Sequence, residues 1–198
     1  MKPLGMVNTQ YPPAQSKEYL RPEVYKKTSK GYGTMGDLWI ETADVLFEVY
    51  PAGGFVSIPR EHVRLYMAIM NGGELDGVRV LEPETVKLMH TVQSPGLITA
   101  RRGLGFDIDS PYAGPRGKTF PLGSFGHSGW TGTSLWIDPF SRTSVIFLSN
   151  RNHPSGGNVL GLRHRLGTLA AEATGFDFKK VTGALPSLSK RQRKEARD

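Results

Sequence analysis

His127, Ser128 and Gly129 stand together in "GHSGWTGTSLWIDP", residues 126–139. A histidine can act as a general acid or base, or as a cationic anchor, near neutral pH. A serine beside it can bond a carboxylate. A backbone N–H on a lightly substituted strand can face a developing oxyanion, or hold an extended ligand added to the sheet. The block carries Gly126, Gly129 and Gly132 ahead of a short apolar run closed by Asp138-Pro139. Glycine is costly inside a strand. Two readings of these glycines stand open: close approach by a ligand backbone, or a bulge or twist beside a tight turn. His127 has its own alternative, a hydrogen-bonded structural histidine, and Ser128 either meets a ligand or simply occupies a strand. His62, His90, His153 and His164 show no metal-ligand spacing, so no metal and no cofactor are expected. His90 and His164 fall on helices and read as surface residues. Asn150-Arg-Asn-His153 reads as polar capping of a strand end.

The elements that must position this block are legible from periodicity. Val63, Tyr66, Met67 and Met70 recur at helical spacing, with Pro59 in the first turn and Asn71-Gly72-Gly73 as the stop. A second short helix is expected from Pro83 to about His90. Beyond Gly96 the period shortens. Leu104–Ile108, Ser124–Ser128, Thr133–Ile137 and Thr143–Ser149 read as strands. The continuous run Val145–Leu148 suits a strand covered on both faces, and Asp138-Pro139-Phe-Ser141 is a hairpin loop. Val159, Leu162, Leu166, Leu169 and Ala173 form the apolar stripe of a last helix, stopped at Gly175. Residues 1–50, with Pro12-Pro13, Arg21-Pro22 and Gly31-Tyr-Gly33, read as a loop layer with short helical pieces. The fold class is α+β, an antiparallel sheet with packed helices.

The bulk numbers bound the function. The chain has 198 residues, 38% hydrophobic, with Gly 24, Pro 14 and no cysteine. That suffices for one domain and excludes disulfides, thiolate metal sites and a cysteine nucleophile. Of the net charge of +7, residues 179–198 contribute +5. The basicity therefore belongs to a tail, "SLSKRQRKEARD", too polar to fold and without aromatic residues among its charges. It reads as a solvated extension, and no nucleic-acid partner is expected. No apolar run reaches the roughly 20 residues of a membrane span. "MKPLGMVNTQYPP" has no apolar signal region, which leaves the location of the protein open.

"PLGM", "PAGGFVS", "NGGELDGVRVLEPETV", "GLGFDI", "FGHSGWTGTSLWIDP" and "NRNHP" occur in this order. The order resembles the serine β-lactamase and penicillin-binding-protein-like hydrolases, in their class C-like, esterase-type branch, over about residues 3–175. The resemblance implies a partial β-lactamase/transpeptidase-like fold over residues 1–178, with 179–198 as the basic tail. In that family a Lys-Thr-Gly triplet lines the active site, and esterase-type members often carry His-Thr-Gly or His-Ser-Gly. Here the triplet resembles His127-Ser128-Gly129, with His127 catalytic, Ser128 and Gly129 binding substrate, and the backbone N–H of Trp130 as half of an oxyanion hole. The expected substrate is a small-molecule or peptide acyl compound.

The same family uses a serine nucleophile in Ser-x-x-Lys and a second motif, Tyr-x-Asn or Ser-x-Asn. No tyrosine or serine here has asparagine at +2, and Ser-x-x-Lys occurs only at Ser187–Lys190, inside the tail. Leu38-Trp-Ile-Glu41 and Tyr50–Ser57 also depart from the family pattern. The chain therefore reads as the C-terminal half of such a hydrolase, catalytically incomplete alone. Three alternatives stand beside that reading: one chain of a split hydrolase, a non-catalytic peptide- or glycan-binding module and, ranked last, a basic-tail protein acting on nucleic acid; the half-built sheet is also expected to self-associate through Thr143–Ser149 as an exposed edge.

Overall fold

The structure, a computed structural model, describes residues 2–7, 59–95, 100–129, 132–149, 151 and 157–181, and the backbone of 25–28 and 31–34. The expectations placed on residues 38–41, 50–57, 130–131, 153 and the tail from 182 lie outside these. Near the N-terminus, Lys2–Leu4 form a 3-10 turn, and β1 (Tyr25–Thr28) pairs antiparallel with β2 (Gly31–Thr34). The expected loop layer thus contains a hairpin.

Helix α1 spans Pro59–Met70. It ends where Gly73 N–H donates to Ala68 O at 2.7 Å, with Gly72 and Gly73 at φ +71° and +95°, a conformation suited to glycine. Its buried face is Tyr66, Ala68 and Ile69, while Val63 and Met67 face outward. Next comes a hairpin, β3 (Glu74–Leu75) and β4 (Val78–Arg79). Its turn is Asp76-Gly77, both at positive φ, a strong two-residue hairpin signal. Helix α2, Pro83–His90, opens on proline and buries Val86.

A five-stranded antiparallel sheet follows: β5 (Arg101–Arg102), β6 (Asp107–Asp109), β7 (Phe125–Ser128), β8 (Ser134–Asp138) and β9 (Thr143–Phe147), neighbours in chain order. The strand expected over Leu104–Ile108 lies further along. Leu104 and Gly105 form a turn, with Gly105 at φ +85°, and pairing starts at Asp107. Strand β9 is the outer strand and is half-buried throughout, with Leu148 exposed beyond it. This corrects the expectation of a strand covered on both faces.

The period of two divides the sheet into two cores. Phe125 and Ile137 join Phe106, Ile108, Tyr66, Ile69 and Val86 beneath α1 and α2. Trp136, fully buried, turns to the opposite face with Ala113, Phe120 and Ala171, and its indole N–H donates to Ser124 Oγ at 2.8 Å. On that face lies α3, Leu160–Ala173. Its apolar stripe is not the buried one. Leu160, Leu162 and Leu169 are exposed, and Arg163, Gly167 and Ala171 face inward. Proximity explains this. A Cβ on Gly167 would sit 2.0 Å from Pro115 O, so the 114–117 turn leaves no room for a leucine.

Candidate functional site

His127 and Ser128 lie on β7, paired antiparallel with β8 as His127↔Leu135 and Ser128↔Ser134. The five-residue connection is closed by Gly129 N–H donating to Thr133 O at 2.7 Å and Gly132 N–H to Gly129 O at 3.2 Å. On its other edge β7 meets β6 at one register position, Asp107↔Gly126. Past Gly126, β6 no longer pairs with the strand. Beside His127 and Ser128 a cleft of about 150 Å³ opens, lined also by Arg102, Asp107 and Tyr112. Both site side chains are half-buried. Trp130 lies outside the described residues.

The three glycines have internal reasons. A Cβ on Gly126 would lie 2.2 Å from Leu135 O and 2.4 Å from the Trp136 ring. One on Gly129 would meet Thr133 Oγ1, and one on Gly132 Ser149 Oγ, at 2.2 and 2.4 Å. Gly132 also sits at φ +115°. Each is explained by close packing, against β8, the residue before it or the segment after β9, a reason that neither reading of the sequence named. Among the described residues the edge of β7 past Gly126 has no strand partner, because β6 reaches no further.

The cleft brings in residues that sequence reasoning missed. Asp107, 1% exposed, accepts from Arg102 Nη1 at 2.9 Å and from Ser110 Oγ at 2.7 Å through Oδ1. Its Oδ2 is buried and has no partner among the described residues. Asp109, also buried, is held by Arg101 at 2.6 Å and Arg116 at 3.5 Å. The adjacent pair Arg101-Arg102, facing Asp109 and Asp107 across a register shift, was the available signal. A pairing of this kind is costly to break because it would strand a buried carboxylate.

The connection after β7 is gripped from α3. Arg163, 5% exposed, donates from Nε to Gly132 O at 2.9 Å and from Nη2 to Gly129 O at 2.8 Å and Thr133 O at 2.7 Å. Burial, and then the charge of Arg151, lower its pKa from the ordinary arginine value.

His90 and His164 serve the framework. His90 is half-buried and stacks on Phe125 at 5.3 Å between ring centroids, and burial lowers its pKa. That corrects its expected surface position. His164, also half-buried, lies with Nδ1 3.2 Å from Gly114 O. Among the described residues no group of three or more His, Cys, Asp or Glu is arranged to hold a metal. No helix among them is long and apolar enough to cross a membrane.

The described residues form an antiparallel meander with helices on both faces and a cleft beside β7, and sequence comparison names the class. The family model described as Beta-lactamase matches residues 1–169, and the chain belongs to that family. The "Esterase/beta-lactamase LipL" of Mycobacterium tuberculosis is 30% identical over 149 residues, 71% of this chain and 34% of that protein. Among solved structures, a β-lactamase from Mycobacterium bovis superposes with a TM-score of 0.54 at 19% identity, over 88% of this chain and 53% of its own. Simvastatin synthase (LovD) from Aspergillus terreus gives 0.56 at 18% identity, over 90% and 48%. At these identities the structures share the fold. The chain spans about a third of the length of that esterase/β-lactamase and about half that of the two structures.

Proposed function

We propose that residues 1–178 form the oxyanion-strand portion of a serine hydrolase that transfers acyl groups from an ester, amide or β-lactam, and that this chain alone turns over none of them. In this reading His127 supplies a polar, proton-exchanging group at the cleft. Ser128 and the backbone of Gly129 hold substrate along the edge of β7, and the N–H of Trp130 faces the oxyanion. The substrate is a small-molecule or peptide acyl compound, and the nucleophile lies outside residues 1–178. Residues 179–198 are a basic tail outside this portion. The observation that carries the reading is the edge of β7 beside the cleft, unpaired past Gly126 among the described residues, in a chain whose one Ser-x-x-Lys lies at Ser187–Lys190 and which has no Tyr-x-Asn.

The experiment offers nitrocefin, p-nitrophenyl butyrate and a fluorophosphonate probe to the purified chain. Residues of a catalytic constellation act as a unit, so the expected result is background turnover and no labelled serine. Labelling of a single serine, with activity lost on its replacement by alanine, would sink the claim of incompleteness. A second reading, a non-catalytic peptide-binding module, is favoured by the same edge, since an extended peptide can add to it as a strand. A peptide that binds without an acyl group and shifts the His127 and Ser128 resonances would select that reading.

A further inference from the structure

Helix α3 presents an apolar seam to solvent. Leu162, Leu166, Leu169 and Ala173 follow one another at spacings of four, three and four, the alternation by which one helix packs along another. The sheet does not use this row. Arg163, Gly167 and Ala171 are the inward face, Leu166 is half-buried, and Leu162, Leu169 and Ala173 are exposed. Single apolar residues on a surface need no explanation, whereas a contiguous row marks an interaction site.

The charges beside the row say what fits it. Arg165 and Glu172 are both exposed, and neither side chain has a hydrogen bond or ion pair among the described residues. Seven residues apart, they lie on one flank of the seam, and about 10 Å of helix rise keeps them from pairing with each other. A second α3 laid antiparallel about a two-fold axis reverses their order. Arg165 of one copy then meets Glu172 of the other, and the same contact recurs on the far side of the axis. In that arrangement Leu166 layers on Leu169 of the second copy, and Leu162 on its Ala173. The seam is complementary to itself in both its apolar layers and its charges. We propose that α3 is a homodimer interface, through which two copies of this chain pair antiparallel. The interface does not depend on the acyl-transfer reading. It is short, since α3 has 14 residues and so extends about 21 Å. A seam of that length buries less than a standard-size interface. The pairing is therefore weak, with a dissociation constant on the order of 0.1 mM, and at low micromolar concentration the leucines face water.

Sedimentation equilibrium on the full chain, from about 10 μM to about 1 mM, should show monomer passing to dimer by mass action. Leu169→Glu puts a charge into the seam at an exposed site. It should abolish the dimer over that range, while the thermal midpoint of the dilute protein stays within about 2 °C. Arg165→Glu sets like charges together at both contacts and should weaken pairing about 10-fold, and Glu172→Arg likewise. An equimolar mixture of these two variants should recover it, because each contact again joins opposite charges. The two charge variants alter only exposed side chains, so they carry the test even if Leu169→Glu fails to fold. A monomer at the highest concentration, association indifferent to Leu169→Glu in a folded variant, or a mixture no tighter than its components would overturn the proposal. Association through the edge of β9 would take the second of these forms.

Discussion

Helices α1 and α3 both stop at glycine and both carry apolar residues at helical spacing, yet they dock on the sheet by opposite means. Helix α1 uses bulk, with Tyr66 and Ile69 entering the aromatic and aliphatic core over β7 and β8. Helix α3 uses closeness. Gly167 lies against the 114–117 turn, Lys118 N–H donates to Thr168 Oγ1 at 3.0 Å, and Arg163 reaches across to the β7–β8 connection, while its leucines face out. The lesson is that periodicity reports how a helix can be amphipathic. The nearest backbone decides which face goes in.

The largest expected effect breaks the close approach. Gly167→Ala places a Cβ 2.0 Å from Pro115 O, a backbone atom that cannot swing aside. The cost should be about 3 kcal/mol or more, as for overpacked cores, read as a drop in thermal midpoint by circular dichroism. A loss under about 1 kcal/mol would mean that α3 can lift away without penalty.

A pair of truncations sharpens the contrast. Ile69→Ala on α1, at a site 3% exposed, should cost about 2–4 kcal/mol. Leu169→Ala on α3, at a site 55% exposed, should stay within about 0.5 kcal/mol. Equal losses in chemical denaturation would show that the α3 leucines are covered in solution.

The smallest effect concerns α2, whose last residue His90 has its pKa lowered from 6.5, chiefly by burial. The folded state then binds fewer protons than the unfolded chain just below that value. Stability should fall as pH drops through the window. His90→Phe keeps a ring against Phe125 and removes the proton. It should narrow the difference in thermal midpoint between pH 7 and pH 5 by on the order of 1–3 °C. An unaltered difference would place the acid sensitivity elsewhere.

Much of the fold was legible in the sequence because its stops are chemical. Pro59, Asn71-Gly72-Gly73, Pro83 and Gly175 bound α1, α2 and α3 nearly where the structure does. The β7–β8–β9 meander was legible from its alternation and from the Asp138-Pro139 turn, where Asp138 Oδ2 accepts Ser141 N–H at 2.7 Å. The β3–β4 hairpin escaped although Asp76-Gly77 marks it, because two-residue strands carry no periodicity. At the site, His127, Ser128 and Gly129 were legible as a motif. Arg102 and Asp107 left a local signal, two arginines ahead of two aspartates, that was passed over, while Arg163 left none, since a clamp between distant segments makes no local pattern. The glycines were visible, but their tight packing against Trp136, Thr133 and Ser149 was not.

The chain-order sequence of strands in the five-stranded sheet also bears on how the molecule is assembled. The connections between consecutive strands run over residues 103–106, 110–124, 129–133 and 139–142. Loop closure over such spans costs little entropy, so every rung of this ladder is a near-neighbour contact of low contact order. The ties that span greater distances are added from outside it, as when Arg142 Nη2 in the last turn donates to Asn71 Oδ1 at 2.7 Å. The meander can therefore zip from its own hairpins, and the strand that carries His127 is paired before α1 or α3 needs to arrive.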